Sequence, residues 1–204
     1  MPDFGFVGAS YVAPSIYQDD QECINYYPEI DPMKPQGSRG VVALYPTPGM
    51  TEEYQLIEAE VRGMRALSGG KYVLVVAGNR VYQFTATTAP VQIGTLTTSS
   101  GPVDMTDTQL TASGLAAYIV DGANRYYWIA ATNTFAKLPT SDGPWVGATA
   151  CDTVDNYIVY NQPGTQNWAA TDLDSVFSTA IYYGAKDGSP DDLVTLRSEE
   201  HTSE

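Results

Sequence analysis

The chain has 204 residues and carries 24 acidic against 10 basic side chains, a net charge of -14. Such an excess of negative charge argues against a basic surface for gripping nucleic-acid phosphates. It is compatible with a conduit through which DNA slides, because like charges repel at close range. With two cysteines, Cys23 and Cys151, the chain supports neither a disulfide framework nor a zinc site, and both read as free thiols.

Residues 1–60 hold seven of the thirteen prolines, at positions 2, 14, 28, 32, 35, 46 and 48. Met1 to Ser10 has neither the basic start nor the apolar core of a signal peptide. Two tyrosine-proline clusters stand out, Asn25-Tyr26-Tyr27-Pro28-Glu29 and Ala43-Leu44-Tyr45-Pro46-Thr47-Pro48-Gly49. Each proline fixes its own φ and biases the preceding residue toward extended geometry, so both read as rigid, aromatic-bearing segments suited to docking. Apart from Val41 to Leu44 this region shows no regular strand pattern, and it is expected to be an extended arm. Thr51 to Glu60 fits a short helix and a strand equally well.

From Val61 the text changes. Arg62-Gly63-Met64, Gly101-Pro102-Val103 and Gly143-Pro144-Trp145 open three similar segments at intervals of about 40 residues. The first continues with Tyr72 to Val76, a turn at Gly78-Asn79, and Val81 to Phe84. The second has Tyr118 to Val120, a turn at Asp121 to Asn124, and Tyr126 to Ile129. The third has Tyr157 to Tyr160, a turn at Gln162-Pro163-Gly164, and Trp168 to Ala170. Short β-branched and aromatic runs separated by such turns are strands joined by hairpins. The expected fold class is all-β: a partial β-propeller-like array of about three blades, residues 61–196, preceded by the proline-rich arm. A β-sandwich with chance spacing is the alternative. The longest apolar runs, Val73 to Ala77 and Leu115 to Val120, fall far short of the ~18 residues a membrane helix needs, so no membrane anchor is expected.

The last eight residues, Arg197 to Glu204, resemble the translation of a sequencing adapter, so the gene is expected to be cut near Leu196 and the chain to be C-terminally truncated there. Three blades do not close a ring, so poor solubility of the chain expressed alone is expected from its unprotected sheet edges.

The single histidine, His201, lies in that octapeptide, which removes Ser-His and Cys-His catalysis and imidazole metal sites. The surviving enzyme reading is a carboxylate pair drawn from Asp152, Asp155, Asp172 and Asp174, of which the last two would share a face if they lay on a strand. Turn capping is the commoner use of such aspartates. Asp187-Gly188-Ser189-Pro190-Asp191-Asp192 lacks the ligand order of an EF-hand and reads as a solvated turn. Ser68-Gly69-Gly70-Lys71 lacks two residues of a phosphate-binding loop, since Arg65 and Tyr72 occupy their places, and reads as a hairpin turn. Fifteen tyrosines and three tryptophans would suit a sugar-binding surface, but core and interface packing is their usual role in a β-rich protein. No catalytic, cofactor or metal residue is assigned.

Nine motifs, in order, resemble the packaged DNA stabilization proteins, the tail accessory factors of short-tailed bacteriophages. They are Gln21 to Pro28, Leu44 to Gly49, Val61 to Met64, Val75 to Tyr82, Ile93-Gly94, Val120 to Gly122, Asp155 to Val159, Thr171 to Asp174, and Pro190 to Val194. The resemblance implies a non-enzymatic tail nozzle component with propeller-like domains. On that footing the protein forms a homo-oligomeric ring beneath the portal and its adaptor, holds packaged DNA without sequence-specific binding, and supports other tail proteins in the virion. A carbohydrate-binding or glycoside-hydrolysing β-propeller and a host-derived interaction propeller are the competing readings.

Overall fold

The computed structural model describes residues 24–30, 33, 42–179, 182–186, 188 and 191–196. Cys23, His201 and the octapeptide that ends the chain lie outside the described residues. The chain divides into two compact units, Met1–Glu53 and Tyr54–Glu204, so the division falls somewhat before residue 60. Among the described residues there are fourteen strands, grouped in four antiparallel sheets, and no helix.

In the first unit the two tyrosine-proline clusters pair with each other. Strands β1 (Tyr26–Ile30) and β2 (Val42–Pro46) form an antiparallel ribbon with Tyr26 opposite Pro46, Tyr27 opposite Tyr45 and Pro28 opposite Leu44. A two-stranded ribbon accepts prolines because each strand keeps one edge with no ladder bond to lose. The Tyr27 and Tyr45 rings stack at 5.8 Å, and at the open end Thr47 donates its backbone N–H to the Asn25 carbonyl at 2.9 Å. The expected arm thus contains a hairpin whose two sides are the two clusters.

Residues 51–60 are neither helix nor strand. The partly buried residues there are the neighbours Leu56 and Ile57, which fit neither the helical spacing nor strand alternation. A bend closes the segment, with Ala59 N–H donating to the Ile57 carbonyl at 2.8 Å.

The second unit contains three four-stranded sheets in chain order. The first comprises β3 (Val61–Ala66), β4 (Val73–Ala77), β5 (Arg80–Thr85) and β6 (Thr88–Thr95). The second comprises β7 (Asp104–Leu110), β8 (Gly114–Val120), β9 (Arg125–Ile129) and β10 (Thr134–Lys137). The third comprises β11 (Cys151–Val154), β12 (Tyr157–Asn161), β13 (Asn167–Ala170) and β14 (Tyr182–Ala185). Every sheet is a meander in which each strand pairs with the next, as the hairpin turns require. Ser68 to Lys71 is the β3–β4 turn, where Gly69 and Gly70 have φ of 82° and 66°.

Two hydrophobic seams join the sheets face to face. Leu74, Val76, Val81, Ile119, Tyr126 and Trp128 fill the seam between the first and second sheets. Tyr118, Val120, Cys151, Ile158, Tyr160 and Val176 fill the seam between the second and third. Strand β8 contributes Ala117 and Ile119 to one seam and Ala116, Tyr118 and Val120 to the other. Burial on both faces explains why it reads as an unbroken apolar run and not as an alternating one. A sandwich would leave one face of each sheet in solvent, so the middle sheet decides for the propeller-like array.

Candidate functional site

The opening strands of the three sheets lie side by side. Val103 N–H donates to the Arg62 carbonyl at 3.1 Å, Cys151 N–H to Asp104 Oδ2 at 3.0 Å, and the Thr153 hydroxyl to the Asp107 carbonyl at 2.7 Å. Where they meet is an open polar cleft of about 270 Å³, lined in part by Arg65 and Ser68, Asp107 and Gln109, and Asp152 and Asn156. The carboxylate of Asp107 is almost wholly buried and already engaged: Oδ2 accepts Ser68 N–H at 3.0 Å and Oδ1 lies 3.7 Å from Arg65 Nε. None of the lining residues is aromatic, so the cleft has no ring on which a sugar could stack.

The four candidate carboxylates do not converge. Asp152 lies on β11 at the cleft, where its Oδ1 accepts the backbone N–H of Thr153 at 2.9 Å. Asp155 and Asn156 occupy the β11–β12 turn with φ of 48° and 65°, the two left-handed positions of a type I′ hairpin. Asp172 and Asp174 lie on the loop after β13 and not on a strand, which removes the shared face anticipated for them. Asp172 Oδ2 accepts the backbone N–H of Thr179 at 3.1 Å and also its hydroxyl, while Asp174 has φ of 52° and accepts the Thr111 hydroxyl at 3.3 Å. Asp191 and Asp192 are exposed, and Asp187 and Pro190 of that cluster lie outside the described residues. No group of three or more potential metal ligands comes together among the described residues.

What the sequence reading missed are the buried polar clamps that hold the inter-sheet linkers. Arg62 donates to the carbonyls of Gly78, Thr98, Ser100 and Gly101 at 2.7–2.9 Å. Arg125, fully buried, pairs with Asp142 Oδ2 at 3.2 Å, donates to Tyr118 Oη at 3.0 Å and to the Val146 carbonyl at 3.1 Å, and lies 4.3 Å from the centre of the Tyr160 ring. Burial favours loss of its proton, but Tyr118, Tyr160 and the Asp142 carboxylate together outweigh that and hold the guanidinium pKa above its ordinary value. Asn161 does the same service further along, its Oδ1 accepting the N–H groups of Thr149 and Ala150 at 2.9 Å. The available signal was a basic or amide residue beside a strand run in an acidic chain. Cys151 is free and buried, and burial, with Asp104 nearby, pushes its thiol pKa well above the ordinary range, so it is no nucleophile.

The remaining candidate is the hairpin. Tyr26, Tyr27 and Tyr45 are 51%, 48% and 46% exposed and Leu44 is also exposed, so a rigid ribbon displays apolar and aromatic surface beside phenol hydroxyls. No protein-family model and no curated protein matches the chain.

Proposed function

We propose that this protein is a structural component of a short-tailed phage virion, acting at the neck to retain packaged DNA and to support tail assembly. One observation carries the reading: the two tyrosine-proline clusters form a single hairpin that holds its tyrosines half exposed. Prolines reduce the freedom the ribbon loses on docking, and half-exposed tyrosines supply large contact area at low entropic cost. Two further features support it. The candidate carboxylates cap turns and linkers, and the chain is acidic, which suits a surface that DNA passes without adhering. On this reading the hairpin docks onto the portal, its adaptor or another tail protein, and the sheets form the body of a homo-oligomeric ring.

The test is made in particles. Virions carrying Tyr26→Ser, Tyr27→Ser and Tyr45→Ser together should fail to incorporate the protein and should lose DNase-protected DNA. Normal incorporation and normal DNA retention by the triple variant would overturn the reading.

A further inference from the structure

The ladder of the tyrosine-proline hairpin fixes which backbone groups face outward. Thr47 N–H donates to the Asn25 carbonyl, so Asn25 opposite Thr47 is a hydrogen-bonded pair. In an antiparallel ladder such pairs alternate with pairs whose N–H and C=O groups point away from the partner strand. With Tyr26 opposite Pro46, Pro28 opposite Leu44 and Ile30 opposite Val42, the outward set is Tyr26, Pro28 and Ile30 on β1 and Val42, Leu44 and Pro46 on β2. Both prolines thus fall where a missing N–H costs the hairpin nothing.

The two outer edges differ in consequence. Pro28 sits at the middle of the β1 edge, between Tyr26 and Ile30, and interrupts it for any strand that would pair there. Pro46 sits at the end of the β2 edge, which leaves Val42 and Leu44 each with an N–H and a C=O facing outward. Among the described residues the sheet stops at these two strands, and Leu44 and Tyr45 are 41% and 46% exposed. An edge of this kind is normally guarded by charge, yet no charged residue occurs between Arg39 and Glu52. A lone two-stranded ribbon is marginal in water, and added strands stabilise it.

We propose that the β2 edge is a pairing surface for a second copy of this chain, the two β2 strands running antiparallel to make one four-stranded sheet. With Ala43 opposite its own copy, Val42 of each chain faces Leu44 of the other, and the edges exchange about four hydrogen bonds without asking a proline for a proton. The edge is self-complementary about a twofold axis, as an isologous contact requires, and its lack of charge spares the seam like-sign repulsion. A lasting dimer buries upwards of about 1,000 Å², more than strands of five residues supply, so the contact is weak and concentration-dependent. It engages backbone groups, leaves the stacked Tyr27 and Tyr45 rings to other contacts, and does not rest on a role in a virion.

Sedimentation of the purified 204-residue chain should show a monomer–dimer equilibrium. It should shift toward dimer in about 0.5 M salt, because screening removes the repulsion between two copies of net charge -14 while the seam itself carries no charge. Leu44→Pro removes an outward N–H without touching a ladder bond of the hairpin, and should weaken association about tenfold or more. Ile30→Pro makes the same change on the β1 edge and should leave the dimer as it was. Facing residues of a non-hydrogen-bonded pair lie about 4.5 Å apart between Cα atoms, within disulfide reach, so Ala43→Cys combined with Cys23→Ser should cross-link two chains on mild oxidation. Thr47→Cys in the same background should not, because its copy lies at the far end of the paired strands. A monomer at every concentration with no cross-link at position 43, equal cross-linking at position 47, or a dimer that Leu44→Pro leaves intact or that Ile30→Pro weakens as much would each overturn the proposal.

Discussion

The seams of the stacked sheets and the tyrosine-proline hairpin are both built of antiparallel β-structure rich in tyrosine, yet they treat that residue in opposite ways. In the sheets, Tyr118, Tyr126 and Tyr160 are buried and each hydroxyl has a partner: Tyr118 accepts from Arg125, Tyr126 donates to Asp121, and Tyr160 meets Ser178 at 3.1 Å. In the hairpin, Tyr26, Tyr27 and Tyr45 stand about half exposed, and the Tyr27 and Tyr45 rings stack on each other. Burying a hydroxyl without a partner is costly, so a tyrosine kept inside must be built into a network, whereas one kept outside is left for another molecule. The seams therefore spend their tyrosines on rigidity and the hairpin on display, as does the edge strand β14, where Tyr182 and Tyr183 are exposed.

That contrast is broken most directly at Arg125. Arg125→Met removes the charge opposite Asp142 and the donor to Tyr118, leaving a buried carboxylate, and should cost about 3–5 kcal/mol in denaturant unfolding. Adding Asp142→Asn should recover part of that loss, since the amide oxygen can still accept Ser178 N–H. No recovery in the double variant would mean that the packing of the arginine, and not its pairing, holds the linker.

Gly143→Ala should act at the same linker with a somewhat smaller effect. Gly143 has φ of 67°, and an added Cβ would meet the Tyr160 hydroxyl. The left-handed conformation costs about 1–2 kcal/mol for an L-residue, and the displaced tyrosine adds about 1–3 kcal/mol of overpacking. An unchanged melting temperature would show that the linker can shift without disturbing the second seam.

These two sites also mark how much the sequence disclosed. The glycine was visible, because Gly143 opens one of the three repeated segments, and the strands after each opening were legible from β-branched runs broken by turn residues. Periodicity is a local property and survives in the text. The clamps are not local: Arg62 reaches Gly101, and Arg125 reaches Asp142 and Val146 across a seam. The pairing of Tyr27 with Tyr45 was hidden for the same reason, since intervening sequence separates two clusters that each looked like an isolated extended segment. The aspartate pair failed because its premise, a strand under Asp172 and Asp174, required a regular element where a turn of left-handed backbone stands.

Alkaline pH should separate the regions more gently. Burial raises the pKa of Tyr118, Tyr126 and Tyr160 above their ordinary value of 10.0, and of Cys151 above 9.0. For such groups the unfolded chain loses its protons first, so their contribution to stability is fully present below the unfolded pKa and is lost as pH rises through the folded one. Thermal stability should therefore fall as pH rises above about 9, through Cys151 first and the tyrosines next. A melting temperature that held level up to about pH 11 would show that these groups ionise alike in both states.

The smallest effect on stability is expected at the hairpin. Tyr27→Ser with Tyr45→Ser removes one stacked cross-strand pair, worth about 0.2–1 kcal/mol to the ribbon. Because the hairpin belongs to a separate compact unit, the main unfolding transition of the sheets should stay where it was. Calorimetry of the double variant reads this directly. A large drop in that transition would show that the tyrosines act on the sheets, and would turn the display surface into part of the scaffold. An unmoved transition, together with loss of incorporation into particles, would instead separate folding from docking, which is the division of labour that the opposite fates of the tyrosines imply.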